Sequence, residues 1–182
     1  MHIENHLLTS IEFIFSPNSD KRPELEDISL IVIHNISLPP NEFGANYIDQ
    51  LFTNQLDSTA HPYFKEIAHL KVSAHLLINR EGQCKQYVPF NQRAWHAGLS
   101  QYAGRERCND FSIGIELEGS DDTCYTEPQY HCLAKVIGLL LAEYPKLSTE
   151  AIVGHSAIAP GRKTDPGRCF DWQHLQHLLA GR

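Results

Sequence analysis

The sequence predicts an α/β domain, a sheet with helices laid against it, and three stretches predict it. Leu30-Ile31-Val32-Ile33 is a short apolar run rich in β-branched residues. Apolar side chains on successive residues suit a strand buried on both faces. Phe111 to Gly119 alternates strictly, with Phe111, Ile113, Ile115 and Leu117 on one side and Ser112, Gly114, Glu116 and Glu118 on the other. That is the period of a strand. Pro128 to Tyr144 carries Leu133, Val136, Ile137, Leu140 and Leu141 at helical spacing, and its proline suits a first turn. Strands interleaved with helices define the class.

The other elements follow in order. Residues 1–28 hold Pro17, Asn18, Pro23 and many charges, and read as an irregular N-terminal arm laid over the domain. After the first strand, His34 falls where the chain leaves the core. Glu42 to Asn54 reads as a helix, with Phe43, Tyr47, Ile48, Leu51 and Phe52 recurring at helical spacing. Residues 55–70 read as an aromatic loop around His61-Pro62-Tyr63-Phe64. Val72 to Asn79 reads as a strand containing His75. Arg80-Glu81-Gly82 is a turn and Gln83 to Val88 the partner strand of a hairpin. Trp95-His96-Ala97-Gly98 lies in a loop, its tryptophan either walling a groove or capping the core. Ala151-Ile152-Val153 is a last strand end, and Asp171 to Leu179 a closing helix with an acidic residue at its start.

Bulk numbers narrow the function. At 182 residues the chain is most simply one domain, expected over 1–182. A net charge of −7 and a pI near 5.8 argue against nucleic acid, whose phosphates need a basic face. The first residues lack the basic start of a secretory leader, and no apolar run reaches the length of a membrane span, so neither is expected. Five scattered cysteines without a CxxC pair suggest reduced thiols in a cytoplasm.

The chemistry concentrates in Gly154 to Gly167. This stretch holds His155, Lys163 and Asp165 between two Pro-Gly pairs, Pro160-Gly161 and Pro166-Gly167. Each pair marks a turn, so the segment is a folded-back loop that can gather the three side chains. His and Asp together suit zinc, which takes nitrogen and oxygen ligands. A catalytic zinc needs a third protein ligand, and the ten other histidines among the chain's eleven could supply it. From the residues alone two readings stand for each candidate. The loop is a metal site or a surface turn with a capping aspartate. His34 is a ligand or a structural strand-end histidine. Glu116 is a general base, with Gly114 leaving room beside it, or a solvated side chain.

Beyond these residues, several segments resemble the zinc-dependent N-acetylmuramoyl-L-alanine amidases, in particular their cytoplasmic branch acting on 1,6-anhydro muropeptides. They are Val32 to Pro40, Ala60-His61-Pro62-Tyr63-Phe64, Val72-Ser73-Ala74-His75, Arg93 to Gly98, Gly104 to Gly119 and Arg162 to Gly167. The resemblance implies a central mixed β-sheet flanked by helices, in a single amidase or peptidoglycan-recognition-like domain. It implies one Zn2+ per chain on His34, His155 and Asp165, with Glu116 as general base and Lys163 as transition-state stabiliser. It also places Asn35, Tyr47 and Arg107 near the muropeptide, and makes His75 and His96 structural or groove-lining. Lys71 stands where the family carries arginine; lysine keeps the charge and loses the two-pronged hydrogen bond. The implied partner is an anhydro-muropeptide substrate, with no nucleic acid and no membrane; the oligomeric state stays open, with a monomer favoured. The implied role is hydrolysis of the muramyl–L-alanine amide in cytoplasmic peptidoglycan recycling. A non-catalytic peptidoglycan-fragment binding module of the same fold is the alternative.

Overall fold

The structure is a computed structural model and describes residues 1–181; Arg182, the last residue of the expected domain, lies outside them. The strands are β1 (Ile3–Glu4), β2 (Leu7–Leu8), β3 (Glu12–Phe13), β4 (Ser19–Lys21), β5 (Leu30–Ile36), β6 (Leu76–Ile78), β7 (Cys84–Gln86), β8 (Gln92–Ala94), β9 (Gln101–Tyr102), β10 (Arg105–Glu106), β11 (Ser112–Glu118) and β12 (Ile152–Gly154). The helices are α1 (Tyr47–Phe52), α2 (Phe64–Ile67), α3 (Glu127–Glu143), α4 (His155–Ile158) and α5 (Trp172–Ala180).

Six strands form one mixed sheet in the order β12-β5-β11-β6-β7-β3. The pairs β12–β5, β5–β11 and β11–β6 are parallel, β6–β7 is the antiparallel hairpin, and β3 joins β7 in parallel. The predicted α/β class, a central mixed sheet flanked by helices, is what the chain forms. Register then does the positioning. Glu116 pairs with His34, and Gly154 pairs with Ile33, so His155 follows one residue later. All three side chains therefore leave the carboxyl ends of adjacent parallel strands, where α/β sheets form their ligand crevices.

One sheet face carries Ile31, Ile33, Ile113, Ile115 and Leu117 and packs with residues of α3 and α5. Helix α3 is well specified locally. The Thr126 hydroxyl accepts the Gln129 N–H at 3.3 Å, and the Gln129 side-chain oxygen accepts the Thr126 N–H at 3.1 Å, closing a capping box. Gln129 Nε2 then donates to the carbonyls of Ile78 and Glu118, tying the helix start to the sheet. Leu133, Val136, Ile137 and Leu140 are fully buried, each contributing about 1.5–3 kcal/mol. On the opposite face, Leu30 and Val32 meet Ala97, Cys108, Phe111 and Ile158, contributed by loops and α4. That thinner cover leaves the sheet's polar residues close to a cleft.

Local departures from expectation have physical causes. The N-terminal arm is less irregular than its composition suggests: β3 edges the main sheet and β4 pairs with β8. Their partners lie some seventy residues on, at Lys85–Gln86 and Gln92–Ala94, so no local pattern announces them. The helix expected from Glu42 starts only at Tyr47. Gly44 adopts φ +83° and donates its N–H to Glu118 Oε1 at 2.5 Å, which holds that backbone out of a helix. The aromatic loop contains the single-turn α2, and the strand expected from Val72 begins at Leu76, with His75 just before it. His155 opens the short helix α4 where a loop was expected. Glu116 and Glu118 are 8% and 3% exposed, because β11 has neighbours on both sides and loops cover its polar face. Among the described residues, no helix is long and apolar enough to cross a membrane.

Candidate metal and catalytic site

Three donor atoms converge at the mouth of the sheet. His34 Nδ1 lies 3.0 Å from His155 Nδ1 and 2.9 Å from Asp165 Oδ2, and His155 Nδ1 lies 3.0 Å from that same oxygen. The histidines arrive on β5 and just after β12. Asp165 arrives on the returning loop, whose position several contacts hold. Ser156 N–H donates to the Asp165 carbonyl at 3.0 Å, and the Tyr125 hydroxyl donates to the Pro166 carbonyl at 2.7 Å. Gly167, at φ +84°, lies so close to Asp121 that an added Cβ would fall 2.2 Å from its Cα. Only glycine permits both that backbone conformation and that approach.

The hydrogens decide what this cluster is built for. His155 Nε2 donates to the Ala97 carbonyl at 3.0 Å, which leaves Nδ1 as a bare lone pair facing another imidazole nitrogen and a carboxylate. Burial, the largest effect, and the neighbouring His155 lower the His34 pKa to about 4, against the pull of Asp165. His34 is therefore neutral near pH 7. Burial pushes the Asp165 carboxyl upward, but the adjoining imidazoles of His155 and His34 outweigh it and leave the pKa lowered. Two imidazole nitrogens and one carboxylate oxygen thus converge on a common point. Such a set is satisfied by a cation, and its mix of nitrogen and oxygen suits zinc. The residues present fit the ion.

The cleft around this cluster has a volume of about 660 Å³. Glu116, Lys163, Asn35, Asp121, Trp95 and Tyr63 are among its walls. Glu116 Oε2 is buried and, among the described residues, is the one buried side-chain polar atom without a hydrogen-bond partner. Burial first, and the Asp165 charge second, raise the Glu116 pKa well above its ordinary value, with Lys163 opposing them. A carboxyl held this way exchanges protons more readily near neutral pH than a solvated one. Lys163 is exposed on the cleft wall.

The sequence-predicted residues divide. His34, His155, Asp165, Glu116 and Lys163 come together in the cleft, and Asn35 joins them, donating to Asp121 Oδ1 at 2.8 Å. Tyr47 does not line it; its ring packs edge-on against Phe64, centroids 4.8 Å apart. Arg107 takes left-handed backbone (φ +62°), pairs with Asp110 at 3.2 Å and borders a separate hollow beside Leu99 and Arg162. Sequence reasoning missed Asp121 and Tyr125, which brace the site. The pair Asp121-Asp122 just past the Glu-bearing strand was a usable signal, whereas nothing local marked Tyr125. His96, expected to be structural or groove-lining, lines the cleft and places Nδ1 2.9 Å from His34 Nε2.

An α/β sheet that gathers two imidazoles, an aspartate and an unpartnered glutamate in one cleft defines a class, a domain whose cleft could hold a cation beside a buried carboxyl. Comparison with known proteins narrows it. The family described as N-acetylmuramoyl-L-alanine amidase matches residues 24–168. The 1,6-anhydro-N-acetylmuramyl-L-alanine amidase AmpD of Salmonella typhimurium (strain SL1344) is 60% identical over 165 residues, 91% of this chain and 88% of that protein. The crystal structure of a selenomethionine AmpD derivative superposes with a TM-score of 0.96 at 55% identity, covering 98% of this chain and 99% of the other. Pseudomonas aeruginosa AMPDH3, solved in complex with anhydromuramic pentapeptide, superposes at 0.64 with 28% identity, covering 86% of this chain and 61% of its own. The chain belongs to the N-acetylmuramoyl-L-alanine amidase family.

Proposed function

We propose that this protein hydrolyses the amide joining the lactyl group of 1,6-anhydro-N-acetylmuramic acid to L-alanine in muropeptides, acting as one domain in cytoplasmic peptidoglycan recycling. The observation that carries the reading is the convergence of His34, His155 and Asp165 beside the unpartnered carboxyl of Glu116. The similarity to AmpD supports the substrate class, and so does the muropeptide complex of AMPDH3. Five free thiols agree with a reducing compartment.

His34, His155 and Asp165 would hold one zinc. When bound, zinc polarises the amide carbonyl and acidifies water. Glu116 takes a proton from the attacking water and delivers it to the departing alanine nitrogen, which leaves poorly until protonated. Lys163 presents a fixed cation where negative charge develops on the former carbonyl oxygen. Asn35, held by Asp121, offers an amide to the substrate at the cleft wall.

The rival reading, a module that binds wall fragments without cutting them, meets one specific objection. A buried carboxyl oxygen left without a partner costs about 1–3 kcal/mol, and pure recognition makes no use of it. The test is incubation of the purified protein with anhydro-muropeptide and with its reduced-sugar counterpart, with and without chelator, reading released peptide by mass. Release from the anhydro substrate that chelation abolishes is expected. Binding without release would establish the rival.

A further inference from the structure

Both imidazoles are met from outside the ligand set by one dipeptide, His34 by His96 and His155 by the Ala97 carbonyl. We propose that His96-Ala97, clamped by Asn109, is the positioning element of the metal site, fixing which nitrogen of His34 and of His155 is free to bind. The inference rests on the proposed zinc reading of His34, His155 and Asp165 and names residues that act through those ligands.

The geometry runs outward from each imidazole. His155 Nε2 donates to the Ala97 carbonyl at 3.0 Å, so its hydrogen is on Nε2 and Nδ1 is bare. For His34 to offer Nδ1 likewise, its hydrogen must be on Nε2. The atom facing that position is His96 Nδ1, 2.9 Å away, which must therefore accept. His96 then carries its own hydrogen on Nε2, and the Ser112 hydroxyl lies 3.2 Å from it as the acceptor. Each link in this chain has one donor and one acceptor, and only one assignment of hydrogens leaves His34 Nδ1 free.

The dipeptide is itself immobilised. Asn109 Oδ1 accepts from the backbone N–H of both His96 and Ala97, at 3.2 and 2.8 Å. Arg162 donates to the Ala97 carbonyl at 2.7 Å, sharing it with His155. The His96 ring lies against the backbone of Gly114, where an added Cβ would fall 2.5 Å from Cγ. The glycine in the middle of β11 makes that room. Outer partners of metal-bound histidines orient the ring and raise its basicity. Here two consecutive residues of one loop serve both rings.

Two isosteric substitutions separate this role from simple packing. Asn at position 96 puts an amide oxygen near the place of Nδ1, where it can still accept from His34. Gln puts its amide near Nε2 and leaves Nδ1's place empty. Metal-free parent, His96→Asn and His96→Gln are titrated with Zn2+ against a chromophoric chelator, and the melting temperature of each metal-free protein is measured. His96→Gln should weaken zinc by about 10–100-fold, His96→Asn should stay near the parent, and the metal-free melting temperatures of the two should match. Equal zinc affinity in parent and His96→Gln overturns the inference, as does equal loss in both variants. Absence of zinc uptake by the parent overturns the metal reading itself, a result the variants play no part in.

Discussion

At the scale of single residues, the site separates holding the ion from moving the proton. Glu116 reaches the cleft from β11 without bonding to any of the three donors, and its Oε2 has no partner. Glu116→Ala should therefore keep one zinc per chain while turnover falls by about 10²–10⁴. His34→Ala should lose the zinc, because a cluster of two donors binds poorly. Metal analysis and a product assay on the same preparations check both; a Glu116→Ala protein with parental turnover would remove the proton-carrying role. Lys163 differs from both in being exposed on the wall. Lys163→Ala should lower kcat by about 10²–10³ and leave KM comparatively unchanged, since it acts on charge present only near the transition state. A change confined to KM would assign Lys163 to substrate binding instead.

Among the elements, α3 and β11 were the most legible in the sequence, and for different reasons. Helix α3 carries its own start signal, and the expected span, Pro128 to Tyr144, is one residue off the observed Glu127–Glu143. Thr126→Ala removes the hydroxyl that accepts from Gln129, and should cost about 1 kcal/mol in denaturant unfolding with activity unchanged at low temperature. No loss of stability would mean that Gln129's bonds to the sheet suffice without the cap. Strand β11 showed the right alternation, but alternation alone favours one wet face. The structure buries both, and Gly114 explains how: the space beside it is taken by the His96 ring. Phe43 keeps the helical spacing that predicts helix before residue 47, while the Gly44–Glu118 bond that prevents it spans 74 residues.

Across the whole molecule, buried histidines make stability depend on pH. His75 is the clear case away from the metal cluster. It is fully buried, its Nδ1 accepts from the Gly114 N–H at 3.0 Å, and its Nε2 donates to the Gln92 carbonyl at 3.1 Å. Burial, and secondly the charge of Arg22, hold its pKa well below 6.5. The folded protein therefore binds fewer protons here than the unfolded chain once pH falls below about 6.5. Its contribution is complete above that pH and is lost on acidification, with a slope of at most about 1.4 kcal/mol per pH unit. Denaturant midpoints between pH 7.5 and 5 should decline, and His75→Gln should flatten the decline. An unchanged slope in that variant would show that other groups set the acid sensitivity.

What the sequence determined by itself is the chemistry available and the local elements that present it. The run ending in His34, the alternation around Glu116, the capped stripe of α3 and the turn-bounded loop with His155, Lys163 and Asp165 are all written in neighbouring residues. Resemblance to a family then chose among readings that spacing left open. Tertiary structure decided what meets what. Parallel register set Glu116 beside His34, the loop carrying Asp165 lies with Gly167 hard against Asp121, and His96, on the cleft wall, also meets His34 Nε2. It also packed Tyr47 away from the cleft, against Phe64. Hydrophobic period is a property of a few consecutive residues, whereas the convergence of His34 with Asp165 joins side chains 131 positions apart. Only strand pairing and burial, which act across the whole chain, bring such residues within reach of one ion.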